Sequence, residues 1–254
     1  MENEKAAKSS SSAERTLRVL QYLAERSQPV PLAELSNELD LPKPTVHRMC
    51  QLLLDLHMIK HDVQEKTYLI GPALQKLAMD TLTHGTVSQL RHSVLADLVD
   101  TVGETCNFTT LNGSSVLYLD RVETRYPWRL TIDVGERVPI HCTASGKLFL
   151  AMMPNIKRNY LLRRIELTRL TDMTMTDIDQ LRESLDEVQR VGYAEDRQEF
   201  ITGLVAIAVP VHDAKGELRA AVAIHGPTSR INSDELRGML PALHKAATRM
   251  SDLL

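Results

Sequence analysis

Two prolines, Pro42 and Pro44, decide the shape of residues 31–60. Pro42 lacks an N–H and disfavours helix at Leu41, so a helix carrying Leu32, Leu35, Ser36 and Leu39 on one side must stop there. Pro44 is tolerated near a helix start, where first-turn N–H groups have no intrahelical partner, so a second helix opens at Lys43. In that helix Val46, Met49, Cys50 and Leu53 take the buried positions. Lys43, Thr45, His47, Arg48 and Gln51 then face outward near its N-terminal end. This arrangement suits a helix-turn-helix, whose second helix lies in the DNA major groove. A helical hairpin with a solvated polar face fits the same residues equally well. The next segment tips the balance: β-prone runs at 58–62 and 66–70 flank Val63-Gln64-Glu65, a hairpin of wing size. The order predicts a winged helix-turn-helix.

The whole chain narrows the classes further. With 254 residues, 43% hydrophobic and 25% charged, it reads as an ordinary globular protein with one large or two small domains. No apolar run approaches a membrane span, and the polar, Ser-rich N-terminus is unlike a secretory leader; a cytoplasmic protein with no membrane partner is expected. Cys50, Cys106 and Cys142 are odd in number, widely spaced and never in CxxC form, which fits a reducing compartment. Net charge is −3, and residues 1–84 hold 10 Lys/Arg against 11 Asp/Glu. Any DNA affinity must therefore come from a local cluster (Lys43, Arg48, Lys60, Lys66), doubled by dimerisation.

In chain order, residues 1–12 are expected to form a disordered arm. Residues 13–72 make the winged helix-turn-helix, beginning with a helix that packs through Leu17, Leu20 and Ala24, flanked by Val19 and Leu23. Residues 73–85 are a linker helix ended by Gly85, and 86–254 form a second domain. That domain opens with a helix whose inner face is Val87, Leu90, Val94 and Leu98, closed by Gly103. Strands at 105–111 and 115–122 join at Asn112-Gly113, with a third strand at 129–134. A long loop spans 135–146, and a helix over 147–153 is stopped by Pro154. Thr176 caps a helix through Ile178, Leu181, Leu185 and Val188, closed by Gly192. Strands at 204–212 and 217–225 are apolar enough to be central. Ser233 caps a last helix, kinked at Pro241. The class is α+β, and no spacing matches a repeat, a P-loop or a dinucleotide fingerprint.

Pro42-Lys-Pro-Thr-Val-His-Arg48 with its wing, and Gly135-Glu-Arg-Val-Pro-Ile-His-Cys-Thr-Ala-Ser-Gly-Lys147, together resemble the IclR-type transcriptional regulators. Gly192, Asp196, Glu199, Ala206-Ile207-Ala208 and Val211-His212-Asp213 follow at the spacing of that family's signature, and Ile224-His225-Gly226-Pro227 is similar to its closing segment. The resemblance covers residues 13–254. It implies a winged-helix domain, a linker helix and a GAF-like antiparallel-sheet effector domain, assembled as a homodimer or homotetramer on double-stranded operator DNA and answering to a small carboxylate. Lys43, Thr45, His47, Arg48 and Gln51, with Lys66 of the wing, are then the DNA-facing residues.

Carried over position by position, the resemblance implies an effector pocket of Leu130, Val138, Ala144, Ser145, Asp196, Ala206, Ala223 and His225. The residues themselves support anion binding: Ala144-Ser145-Gly146 leads into a helix whose first N–H groups and dipole favour negative charge. Ser145 adds a hydroxyl or serves as the cap. Where relatives offer Cys or Ser, this chain has Ala206, Ala223 and His225, an imidazole able to bind a carboxylate while charged or neutral. A glyoxylate- or pyruvate-type 2-oxo acid is the first candidate effector, and an aromatic acid the main rival. His141, Cys142 and His225, with Asp196 or Glu199, are a minority alternative as a metal site. No cofactor is implied. Cys142 beside a histidine suggests a thiol nucleophile, but no third group orients it, so an enzyme is not expected.

Overall fold

The computed structural model describes residues 11–26, 28–62, 64–83, 85–127, 130 and 132–254. The chain divides into two compact units, residues 1–82 and 83–254.

The first unit begins with helix α1 (Ser12–Glu25), whose N-cap Ser11 accepts from the Glu14 amide. The expected arm therefore ends before Ser11; residues 1–10 of it lie outside the described residues. Strand β1 (Val30–Pro31) leads into α2 (Leu32–Glu38), and Asp40, at φ +50°, turns the chain toward α3 (Lys43–Asp55). Strands β2 (Ile59–Asp62) and β3 (Thr67–Ile70) form the hairpin, and β1 completes a three-stranded sheet of order β1-β3-β2. The proline of β1 is accommodated because an edge strand spares one N–H. Val46, Met49, Cys50 and Leu53 are the buried stripe of α3, packed with Val19, Leu23, Leu35, Ile59 and Tyr68. The inner face of α1 is thus Val19 and Leu23, while Leu17 and Ala24 are exposed, a rotation of the expected face. Gly71 follows the hairpin where a Cβ would sit 2.4 Å from the His57 carbonyl, so the chain re-enters against the base of the wing only as glycine. Helix α4 (Pro72–Thr83) follows.

The second unit opens with α5 (Thr86–Val102), closed by Gly103 at φ +76°. Its buried residues are Arg91, Val94, Leu95, Leu98 and Val99, whereas Val87 and Leu90 are about half exposed. The expected face is off because Arg91, which hydropathy assigns to solvent, is buried by pairing with Asp120 at 3.2 Å. Strands β4 (Thr105–Asn112) and β5 (Ser115–Val122) form the expected hairpin, with Gly113 at φ +62° in its loop. The third strand is β6 (Arg137–Pro139), inside the segment expected to be a loop. Residues 132–134 are not strand, and Arg129 and Thr131 lie outside the described residues. Gly135, at φ +93°, makes the turn that brings β6 beside β5.

Helix α6 (Ala144–Met152) is capped by Thr143, whose side chain accepts from the Gly146 amide. Helices α7 (Asn155–Leu162) and α8 (Ile178–Val191) follow. The cap of α8 is Asp177 rather than Thr176, because a carboxylate one residue later reaches both the Asp179 and Gln180 amides. Gly192 ends α8 in the left-handed conformation. Strands β7 (Ala194–Arg197), β8 (Leu204–His212) and β9 (Leu218–Pro227) complete a six-stranded antiparallel sheet of order β6-β5-β4-β9-β8-β7. Asn232, not Ser233, caps α9 (Ser233–Gly238) through a capping box with Glu235. The chain then breaks at Met239 into a separate α10 (Leu240–Ser251), with Pro241 in its first turn.

Three layers result. Helices α5 and α10 cover one face of the sheet, and α6, backed by α8, covers the other. Alternation on β8 and β9 assigns Ile207, Val209, Val222 and Ile224 to the first face, and Ala206, Ala208, Ala221 and Ala223 to the second. A face made of alanines lets α6 approach closely. Gly146 marks the closest approach: a Cβ there would lie 2.2 Å from the Ile140 carbonyl.

Candidate functional site

The alanine face holds a cleft. One row of the ladder runs Asp196, Ala206, His225 across β7, β8 and β9, and the next runs Ala208, Ala223, Asn107 across β8, β9 and β4. Asp196 and His225 thus flank Ala206, whose methyl leaves room between them. Ala144 and Ser145 of α6 form the roof, with Val138 and Leu130 at one side. All eight residues expected in the pocket line this one cleft. Asn107, Tyr118, Thr143 and Phe200 line it too and were missed. Asn107 gave no signal, because its strand reads Thr-Cys-Asn-Phe-Thr-Thr-Leu-Asn and one more polar residue does not stand out. Free space in the cleft is about 20 Å³, room for about one water, so admitting an organic acid requires its wall to move.

Its polar groups are deeply set. Asp196 Oδ1 accepts from the Glu199 amide at 2.7 Å and the Phe200 amide at 3.3 Å. Burial, then the nearby Glu199 charge, raises its carboxyl to about 7. Burial, reinforced by Arg121, holds His225 down to about 3, which favours the neutral imidazole. Asn107 Nδ2 lies 2.9 Å from His225 Nδ1. Beside the cleft Lys147 and Glu199 form a buried ion pair. With Thr143 supplying the cap, Ser145 is not the capping residue. The Ala144 and Ser145 amides, first in the helix, make no hydrogen bond among the described residues. The cleft therefore offers N–H donors and a helix dipole on one wall, and acceptors on the other.

The alternative chemistries find little to use. His141 Nε2 lies 3.1 Å from the Thr168 carbonyl. Burial pushes the Cys142 thiol up to about 12, so no thiolate forms near neutrality. Among the described residues no three His, Cys, Asp or Glu side chains gather as a metal site.

In the first unit Lys43, His47, Arg48 and Gln51 are exposed along α3, Thr45 is half-buried, and Lys66 is exposed at the tip of the hairpin with φ +53°. Gln51 is tied to Asp55 at 3.0 Å. The side chains of Lys43, His47 and Arg48 make no hydrogen bond or ion pair among the described residues. Asp62 holds the hairpin turn through the Gln64 and Glu65 amides. Among the described residues, no helix is long and apolar enough to cross a membrane.

Residues 79–252 match the family model of the bacterial transcriptional regulator IclR C-terminal domain, and residues 12–62 match that of the IclR helix-turn-helix domain. The chain is 37% identical over 242 residues to the "Probable transcriptional regulator SauR" of Cupriavidus necator, covering 95% of this chain and 96% of that protein. Among solved structures it is similar to an IclR transcriptional regulator from Alicyclobacillus acidocaldarius (TM-score 0.62, 26% identity, 95% and 98% covered). It is also similar to a double mutant of the PobR inducer-binding domain from Acinetobacter, in complex with 3-hydroxybenzoic acid (TM-score 0.61, 28% identity, 67% and 100% covered). The chain belongs to the IclR family of transcriptional regulators: an N-terminal DNA-binding helix-turn-helix domain and a C-terminal effector domain, in a family of regulators rather than enzymes.

Proposed function

We propose that the protein binds operator DNA as a homodimer or homotetramer and changes that binding when a small carboxylate enters the cleft beneath α6. The observation that carries this reading is the convergence of the Ala144 and Ser145 amides, the Ser145 hydroxyl and a neutral His225 on one buried space. Short acids of the glyoxylate or pyruvate type are the first effectors to test. DNA contact falls to Arg48, His47, Thr45 and Gln51 at base edges or adjacent phosphates, and to Lys43 and Lys66 at phosphates. A twofold assembly doubles the few base pairs one short helix can read. On this reading residues 13–72 are the DNA-binding domain, 73–85 the linker helix and 86–254 the effector domain, and the protein works in the cytoplasm.

A second reading, an aromatic acid, draws on two observations. Tyr118 and Phe200 line the cleft, despite only 4% aromatic content overall, and the related inducer-binding domain holds 3-hydroxybenzoic acid. A metal effector draws no such support.

A thermal-shift panel of short and aromatic carboxylates tests the proposal, since a ligand that binds only the folded state raises its melting temperature. The expected result is a rise with one acid class in the wild type that is lost in Ser145→Ala and Asp196→Ala, both of which still bind DNA. An undiminished rise in both variants moves the ligand elsewhere.

A further inference from the structure

Two buried polar atoms in the cleft, Asn107 Oδ1 and His225 Nε2, have no hydrogen-bond partner among the described residues. Both residues are buried, at 1% and 5% exposure. They stand on adjacent central strands, and Asn107 Nδ2 donates to His225 Nδ1 at 2.9 Å. A neutral imidazole carries one proton, so an acceptor at Nδ1 places it on Nε2. The carbonyl of Leu130, which accepts from Arg121, faces the ring closely enough to raise its basicity but lies outside full hydrogen-bond geometry to Nε2. A buried donor and a buried acceptor therefore stand on two hydrogen-bonded neighbours, and leaving either unmet is costly.

Their order specifies the ligand. An ionised 2-oxo acid has only acceptor oxygens; it satisfies the Nε2 proton and leaves Asn107 Oδ1 bare. A 2-hydroxy acid brings acceptors and a hydroxyl hydrogen on adjacent atoms. We propose that Asn107 and His225 together select a 2-hydroxy acid over the matching 2-oxo acid, the Nε2 proton going to a ligand oxygen and the ligand hydroxyl donating to Asn107 Oδ1. Asn107 has a second task as a positioning residue, since its amide fixes the tautomer of His225. This inference rests on the cleft being the carboxylate site.

Lactate and pyruvate, which differ only at the second carbon, are the probes. Calorimetry should give lactate about tenfold tighter binding than pyruvate or better, the worth of one buried hydrogen bond to a site built for it. In Asn107→Leu the ratio of lactate to pyruvate affinity should fall from about tenfold to near one, both acids losing whatever the fixed His225 tautomer contributes. Long-range ¹H–¹⁵N spectra of the wild type, with His225 assigned from His225→Gln, should show the Nε2–H tautomer at neutral pH; this needs neither ligand nor a stable Asn107 variant. An Nδ1–H tautomer overturns the proposal. Pyruvate binding as tightly as lactate, and lost in Ser145→Ala, overturns it while leaving the carboxylate site intact. Binding of neither acid overturns it together with the short-acid reading of the cleft.

Discussion

Lys147 of α6 and Glu199 of the loop after β7 pair in the interior, each about 3% exposed. The pair ties the helix whose first turn roofs the cleft to the loop whose amides hold Asp196. Thr171 and Thr174 hydroxyls brace the same loop by donating to the Glu199 carbonyl. Glu199 Oε2 has no hydrogen-bond partner of its own among the described residues, so the carboxylate leans on Lys147. Replacing Lys147 by Met should strand a buried charge and cost about 3–5 kcal/mol in chemical denaturation. Lys147→Met/Glu199→Leu should recover most of that loss.

Asp196 predicts a pH signature. Its folded carboxyl titrates at about 7 against 3.8 in the unfolded chain. Between those values the unfolded chain is ionised and the folded one protonated, so this group costs stability as pH rises from about 4 to about 7, and the cost is constant above. Asp196→Asn keeps the oxygen that accepts the two loop amides and removes the titration. The variant should melt several degrees above wild type at pH 8, with the gain shrinking to little at pH 4, by calorimetry. An equal gain at both pH values would show that the carboxyl ionises as freely folded as unfolded.

The close seat of α6 gives the third expectation. Gly146→Ala places a methyl against the Ile140 backbone, which cannot rotate away, and should cost about 1–3 kcal/mol together with the ligand response. Thr143→Ala removes only the cap hydrogen bond to the Gly146 amide and should cost about 1 kcal/mol. Urea denaturation of the two variants separates the effects.

Arg48 stands on the outer face of α3, opposite the buried Val46, Met49, Cys50 and Leu53. Arg48→Ala should weaken operator binding by about 1–3 kcal/mol if it reads a base, and lower the slope of log K against log salt by about 1 if it pairs with a phosphate. Melting temperature and effector affinity should not move. Anisotropy titrations at several salt concentrations distinguish these outcomes.

Much of this was legible from residue types because local chemistry and fold agree. Pro42 and Pro44 had one comfortable arrangement, and the buried stripe of α3 follows its 3.6-residue period. Gly103 and Gly192 end their helices in the left-handed conformation that glycine favours. The cleft residues carried over by resemblance fall together because alternate positions on paired strands share a face. The failures are tertiary. Arg91 is buried by a partner 29 residues away, which rotates the face of α5 away from the apolar stripe. Strand β6 exists by virtue of its pairing with β5, having little alternation of its own. Caps at Thr143, Asp177 and Asn232 each lie one or two residues from the ones expected, where several Ser, Thr, Asp or Asn side chains compete for the same amides. Asn107 escaped notice because its importance depends on His225, 118 residues distant.

The central claim is that an acid held beneath α6 alters DNA binding by α3. The most direct measurement is fluorescence anisotropy of the full-length protein on DNA from upstream of its own gene, at fixed salt, with and without a panel of small carboxylates. The account predicts DNA binding that one class of acid shifts at least severalfold in wild type and leaves unshifted in Ser145→Ala. DNA affinity identical with every acid, or a shift that survives in Ser145→Ala, would contradict it.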